Sequence, residues 1–149
     1  MIGDTVPVTI VDGRAYDVLA AADVAIAVSG TVTLEAALIG TPIVVVYKAS
    51  VSMYVLAKAM YKLPWISLPN IVAGRKVVDE VLQSDFTADG IAAKVEELLR
   101  PERRNEVLQG YQEVREKLGG PGAVGRAADT IIRIARRTRG SEGGPNDAP

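Results

Sequence analysis

Ser29, Gly30, Thr31 and Glu35 are residue types, at a spacing, that suit a phosphate joined to a sugar diol. Gly30 has no Cβ, so a ligand can approach the backbone closely and φ is free to be positive. Ser29 and Thr31 are good N-cap candidates, and each carries a hydroxyl that can bond a phosphate oxygen. The first amides of a helix opening here have no partner inside it. With the helix dipole they form a seat for an anion, worth about 0.3–1 kcal/mol and up to about 2 kcal/mol when partly buried. Glu35, one turn further in, would repel a phosphate but accepts well from the paired hydroxyls of a ribose. Spacing equally allows a capping box, with Thr31 or Val32 starting the helix and Glu35 as its first-turn acid. Both readings stand at this level.

A second set of polar groups follows in Pro69–Gly74 and Arg75. Asn70 offers a donor and an acceptor, and Arg75 a planar cation suited to phosphate. Pattern alone favours a plain turn at Pro69-Asn70 and a solvated Arg75. Composition narrows the chemistry further. The 149 residues contain no histidine and no cysteine, which removes Ser-His-Asp triads, thiolate nucleophiles, disulfides and the usual zinc ligand sets. Neither a metal nor another cofactor is expected. Asp, Glu, Lys and Tyr are left for any proton transfer. A net charge of −1 argues against a nucleic-acid partner.

The elements that must position these groups follow from the hydrophobic pattern. Val24–Val28 and Ile43–Tyr47 are short, nearly continuous apolar runs, as in strands covered on both faces. A helix from Val32 to Ile39, closed by Gly40, joins them into a βαβ unit with Ser29-Gly30-Thr31 beyond the carboxyl end of its first strand. Upstream, Thr5–Val11 reads as a strand and Ala15–Ala22 as a helix with Tyr16, Leu19 and Ala20 on one face. Downstream, Val51–Tyr61 is an apolar helix expected to be buried on several sides; the other reading turns Met53, Tyr54 and Lys58 to lipid or a partner. Trp65–Leu68 reads as a further strand and Arg75–Leu82 as a helix. Helices follow at Thr87–Arg100, capped by Thr87, and at Pro101–Leu118, with Val107, Leu108, Tyr111, Val114 and Leu118 on one face. After Gly119-Gly120-Pro121-Gly122, a last helix, Ala123–Arg137, turns Ala127, Ala128, Ile131, Ile132 and Ala135 inward. Residues 138–149 form a polar tail expected to be disordered. The length fits one domain of parallel α/β class. With no leader or spanning run in sight, a soluble cytoplasmic chain is the expectation.

Three stretches, SGTVTLEAALIGTPIVVVY, SLPNIVAGRKVVDEVLQ and LGGPGAVGRAADTI, occur in the order found in the lipid-A-disaccharide synthase family, which the chain resembles from about Val6 to Ala135. The first block is shared loosely with other GT-B enzymes that use UDP-sugars, such as the peptidoglycan N-acetylglucosaminyltransferases; the combination of all three is more specific. The resemblance implies an inverting glycosyltransferase of lipid A biosynthesis with two Rossmann-like domains. The C-terminal domain of that family holds the donor, UDP-2,3-diacylglucosamine. The acceptor is 2,3-diacylglucosamine 1-phosphate, and the products are a β-1,6-linked disaccharide phosphate and UDP. Carried over, Ser29, Gly30 and Thr31 would meet the diphosphate and Glu35 the ribose. Asn70, Gly74 and Arg75 would line the cleft near the donor sugar or diphosphate, and Glu80 and Gln83 match the family's E-x-x-Q on the next helix.

The chain departs from the family in length. The acceptor domain, with the usual catalytic base, has no counterpart here, nor has the opening strand of the donor domain. Residues 1–137 are therefore expected to form part of a Rossmann-like GT-B C-terminal domain, a parallel sheet with flanking helices followed by a helical segment. UDP-sugar recognition without turnover by this chain alone is the expectation. An exposed strand edge, peripheral contact with the inner membrane and a homodimer with swapped C-terminal segments are expected as well. Two alternatives stay open: another UDP-sugar enzyme such as a hexosamine 2-epimerase, or a non-catalytic interaction module.

Overall fold

The computed structural model describes residues 6–50 and 64–141, the last four by backbone alone. The helix expected at Val51–Tyr61 and most of the expected tail, 142–149, lie outside these residues. Residues up to Leu118 form one compact unit and Gly119 onward another.

In the first unit, β1 (Ala25–Val28), β2 (Ile43–Tyr47) and β3 (Asp79–Leu82) form a parallel sheet in that order. Val28 pairs with Val46, and Val46 with Val81. The four apolar residues Ile43–Val46 of β2 are buried, each worth about 1.5–3 kcal/mol against exposure. The middle strand is thus covered on both faces, as its pattern implied. β1 is not: Ile26 and Val28 are 56% and 60% exposed. Its outer edge has no strand neighbour among the described residues.

Around the sheet run α1 (Ala15–Ala21), α2 (Thr31–Ile39), α3 (Leu68–Ala73), α4 (Ala88–Leu99) and α5 (Pro101–Leu118). Only Leu19 of α1 is buried; Tyr16 and Ala20 of its expected inner face are exposed. Small buried residues, Thr33, Ala36 and Ala37, let α2 lie close to its neighbours. Gly40 ends α2 in the left-handed region, φ 101°, where a Cβ would be strained. α4 opens on Thr87, whose side chain accepts from the Gly90 amide as expected of an N-cap. Along α5, Val107, Gly110, Tyr111 and Val114 are buried, Leu108 is half-buried and Leu118 is exposed. Thr41 joins three elements: its Oγ1 donates to the Leu19 carbonyl at 2.7 Å, and its own carbonyl accepts from the Tyr111 hydroxyl at 3.3 Å.

Four expectations are corrected. Residues 6–11 make no strand and are exposed. Trp65–Leu68 is not a strand, because Ser67 caps α3, which takes up Leu68–Ala73 with Pro69 in its first turn. Arg75–Leu82 is not a helix: four of its residues form β3, paired to β2. Glu80 therefore stands on a strand, and Gln83 begins a 3-10 turn, Gln83–Asp85.

The second unit contains α6 (Ala123–Ser141), which runs four residues beyond the expected end. Ala127, Ala128, Ile131, Ile132 and Ala135, expected to face inward, are all exposed, because the described part of this unit holds one helix and no second element to receive them.

Candidate functional site

The turn after β1 feeds directly into α2. The N-cap is Gly30, not Ser29 or Thr31, and among the described residues no side chain caps this helix end. Thr33 instead bonds back, its amide and its Oγ1 both donating to the Gly30 carbonyl, the latter at 2.7 Å. With Gly30 as cap, Glu35 lies beyond the first turn and the capping box is absent. Glu35 is half-buried and has no hydrogen bond or ion pair among the described residues. Gly30 has φ 167°, extended backbone open to any residue. A Cβ added there would come no closer than 4.0 Å to the protein. Among the described residues, neither conformation nor packing calls for glycine at this position.

Ser29 turns the other way. Its hydroxyl donates to the Ile66 carbonyl at 2.9 Å, tying the end of β1 to the segment that opens α3. That segment is gripped by Glu80 on β3. Glu80 Oε1 accepts from the Ser67 hydroxyl at 2.6 Å, the Ser67 amide at 2.9 Å and Asn70 Nδ2 at 2.9 Å. Oε2 accepts from the Ile66 amide at 3.1 Å. The carboxylate occupies the N-terminus of α3, where free amides and the helix dipole favour negative charge.

Asn70 completes the frame and is fully buried. Its Oδ1 accepts from the Val77 and Val78 amides at 2.7 and 2.9 Å, and its Nδ2 also donates to the Val78 carbonyl at 3.0 Å. Asn70 and Glu80 are thus committed to the protein itself. Between them they fix α3 against β3.

Gly74 and Arg75 lie elsewhere. Gly74 ends α3 in the left-handed region, φ 71°. Both residues precede β3, which runs parallel to β1, so they belong to the amino-terminal edge of the sheet, opposite the Ser29-Gly30-Thr31 turn. Arg75 bonds Glu113 on α5, with Nη2 2.7 Å from Oε2. Hydrogen bonds from Lys117 and Arg75 hold the Glu113 carboxyl below its usual range.

Gln83 does sit at the carboxyl edge, immediately after β3. It is the one non-glycine residue with positive φ among the described residues, at 48°. A non-glycine residue held there carries strain, which recurs where a side chain must be aimed. Its carboxamide has no partner among the described residues. Lys48, the first residue beyond β2, stands at the same edge with its ammonium 5.9 Å from the Phe86 ring centroid.

The nine residues singled out from the sequence therefore divide by place. Ser29, Gly30, Thr31 and Gln83 border the carboxyl edge, and Glu35 stands one turn into α2. Asn70 and Glu80 form the frame beneath, and Gly74 and Arg75 lie at the other edge. Lys48 was not singled out, since a lysine after a strand reads as an ordinary solvated end. The frame was partly signalled: Ser67 followed by Pro69 is a helix-start pattern. Among the described residues no group of three or more acidic, His or Cys side chains could hold a metal, and no helix is long and apolar enough to cross a membrane.

A family model described as lipid-A-disaccharide synthetase matches residues 2–131. The lipid-A-disaccharide synthase of Syntrophus aciditrophicus is 40% identical over 132 residues, covering 88% of this chain and 34% of that protein. Its counterpart in Myxococcus xanthus is 42% identical over 133 residues, covering 89% and 35%. That of Anaeromyxobacter dehalogenans strain 2CP-1 is 43% identical over 133 residues, with the same coverage. The chain spans about a third of the length of these relatives.

Proposed function

Because the chain belongs to the lipid-A-disaccharide synthetase family, we propose that it carries the donor-nucleotide half of a glycosyl transfer in lipid A biosynthesis. The donor is UDP-2,3-diacylglucosamine and the acceptor 2,3-diacylglucosamine 1-phosphate. The diphosphate lies against the amides of Gly30 and Thr31 and the Thr31 hydroxyl, and the ribose hydroxyls donate to Glu35. Gln83 reaches toward the donor sugar. Asn70 and Glu80 act indirectly, by holding the segment to which Ser29 is tied. Gly74 and Arg75 act in the fold, as a helix stop and an ion pair.

In the reaction, the acceptor 6-hydroxyl attacks C1 of the donor sugar from the face opposite the diphosphate. The C1–O bond breaks with its electron pair passing to UDP, and the hydroxyl proton passes to a base outside this set of residues. The share of this chain is to stabilise the negative charge that grows on the leaving diphosphate. The lipid substrates place the work at the inner face of the cytoplasmic membrane.

The observation that carries this reading is the α2 N-terminus, which no side chain caps among the described residues, joined to a glycine that leaves the backbone there open to close approach. Calorimetric titration of the purified chain with UDP tests it. Binding is expected, weakened about tenfold in Glu35→Ala by loss of a charge-assisted hydrogen bond. Gly30→Ala should melt as the parent does and still bind UDP poorly. Failure of the parent chain to bind UDP, or full affinity in both variants, would refute the assignment.

A further inference from the structure

We propose that Lys48 is a phosphate-binding residue of this site, its ammonium meeting the anionic oxygens of the nucleoside diphosphate; the inference rests on the donor-site reading above. Lys48 follows the last residue of the middle strand. The register pairs Val28 with Val46 on one side and Tyr47 with Leu82 on the other. Carried just past the strand ends, it sets Lys48 between Gly30 and Gln83, with neighbouring chains about 4.8 Å apart. A long flexible stem at that point serves the edge where the α2 amides emerge.

Charge distinguishes this lysine from the others described. Lys76, Lys94 and Lys117 each bridge to a carboxylate, at 2.6, 2.8 and 3.1 Å. Lys48 is exposed, and its one recorded contact is the Phe86 ring. An aromatic face attracts an ammonium without neutralising it. Glu80, two residues before Leu82 on β3, spends its charge on the α3 N-terminus and so does not compete for the cation. A cation without a carboxylate partner among the described residues, at the strand edge from which α2 starts, is an arrangement that receives a phosphate.

Titration of the purified full chain with UDP and with uridine, the latter by ligand-observed NMR, tests the assignment. Lys48→Met is expected to weaken UDP about tenfold, to leave uridine unchanged, and to flatten the salt dependence of UDP binding. Lys48→Arg should recover most of the loss. Phe86→Leu, which keeps an apolar neighbour but removes the ring, should weaken UDP about two- to fivefold. Equal UDP affinity in the parent and Lys48→Met would overturn the role of Lys48 while leaving the donor site standing. An equal loss for uridine would overturn it too, since a phosphate contact cannot act on a ligand without phosphate. No UDP binding by the parent would overturn both readings.

Discussion

At the scale of single residues, the polar groups sort by what they already hold. Glu80 and Asn70 are saturated by protein donors and acceptors, whereas Glu35 and Gln83 are not. Asp79 shows the saturated case in another place. It is buried at the start of β3, between Lys76 Nζ at 2.6 Å and Arg103 Nη2 at 3.0 Å. Burial works against its charged form, but the hydrogen bonds and charges of Lys76 and Arg103 together outweigh that and hold the carboxyl below its usual value. A depressed carboxyl stabilises the fold above the unfolded aspartate value, about 3.9, and that contribution is lost as pH falls through the lower folded value. Asp79→Asn should cost about 1–3 kcal/mol at pH 7 by urea denaturation. The gap between variant and parent should narrow below about pH 4. A constant gap from pH 7 to pH 3 would rule out the ion pair as its source.

Among the elements, the βαβ unit was legible and the segment after it was not. Ile43–Val46 and the Gly40 stop left few choices for β2 and α2. Val77-Val78-Asp79-Glu80-Val81-Leu82 carries apolar residues at a spacing that suits either period, with two acids that disfavour a strand. Pairing with β2 decides it, because Asp79 and Glu80 each find partners that only this fold brings near: Arg103 for one, the α3 N-terminus for the other. No local pattern carries that information. The place of the turn after β1 was visible in the sequence, while its cap at Gly30, the bond from Ser29 to Ile66 and the internal employment of Asn70 and Glu80 were not. Packing of α5 is equally non-local. A Cβ on Gly110 would lie 2.4 Å from Val77 Cγ1, a stiff branched side chain that is itself buried. Gly110→Ala should therefore destabilise by about 1–3 kcal/mol despite alanine's better helix propensity. A melting temperature at or above that of the parent would show that α5 is free to shift.

For the molecule as a whole, several large apolar side chains among the described residues lie exposed. Ile131 and Ile134 of α6 are 66% and 58% exposed, and Ile26 and Val28 leave one face of β1 bare. We propose, from both features and the exchange of C-terminal segments expected from the family resemblance, that copies of the chain associate. Sedimentation velocity across a hundredfold concentration range should show a concentration-dependent dimer, lost when Ile131 and Ile134 are changed to Asp. A monomer throughout would end that proposal. Two of the helix starts at the carboxyl edge of the sheet, those of α2 and α3, would meet an anionic ligand differently. The start of α3 is stoppered by the protein's own carboxylate, Glu80, while the start of α2 has no side-chain cap among the described residues. A polyanion arriving there is pushed from one doorway and welcomed at the other. On the donor-site proposal, that asymmetry fixes which way round a nucleotide lies before any sugar or lipid takes part.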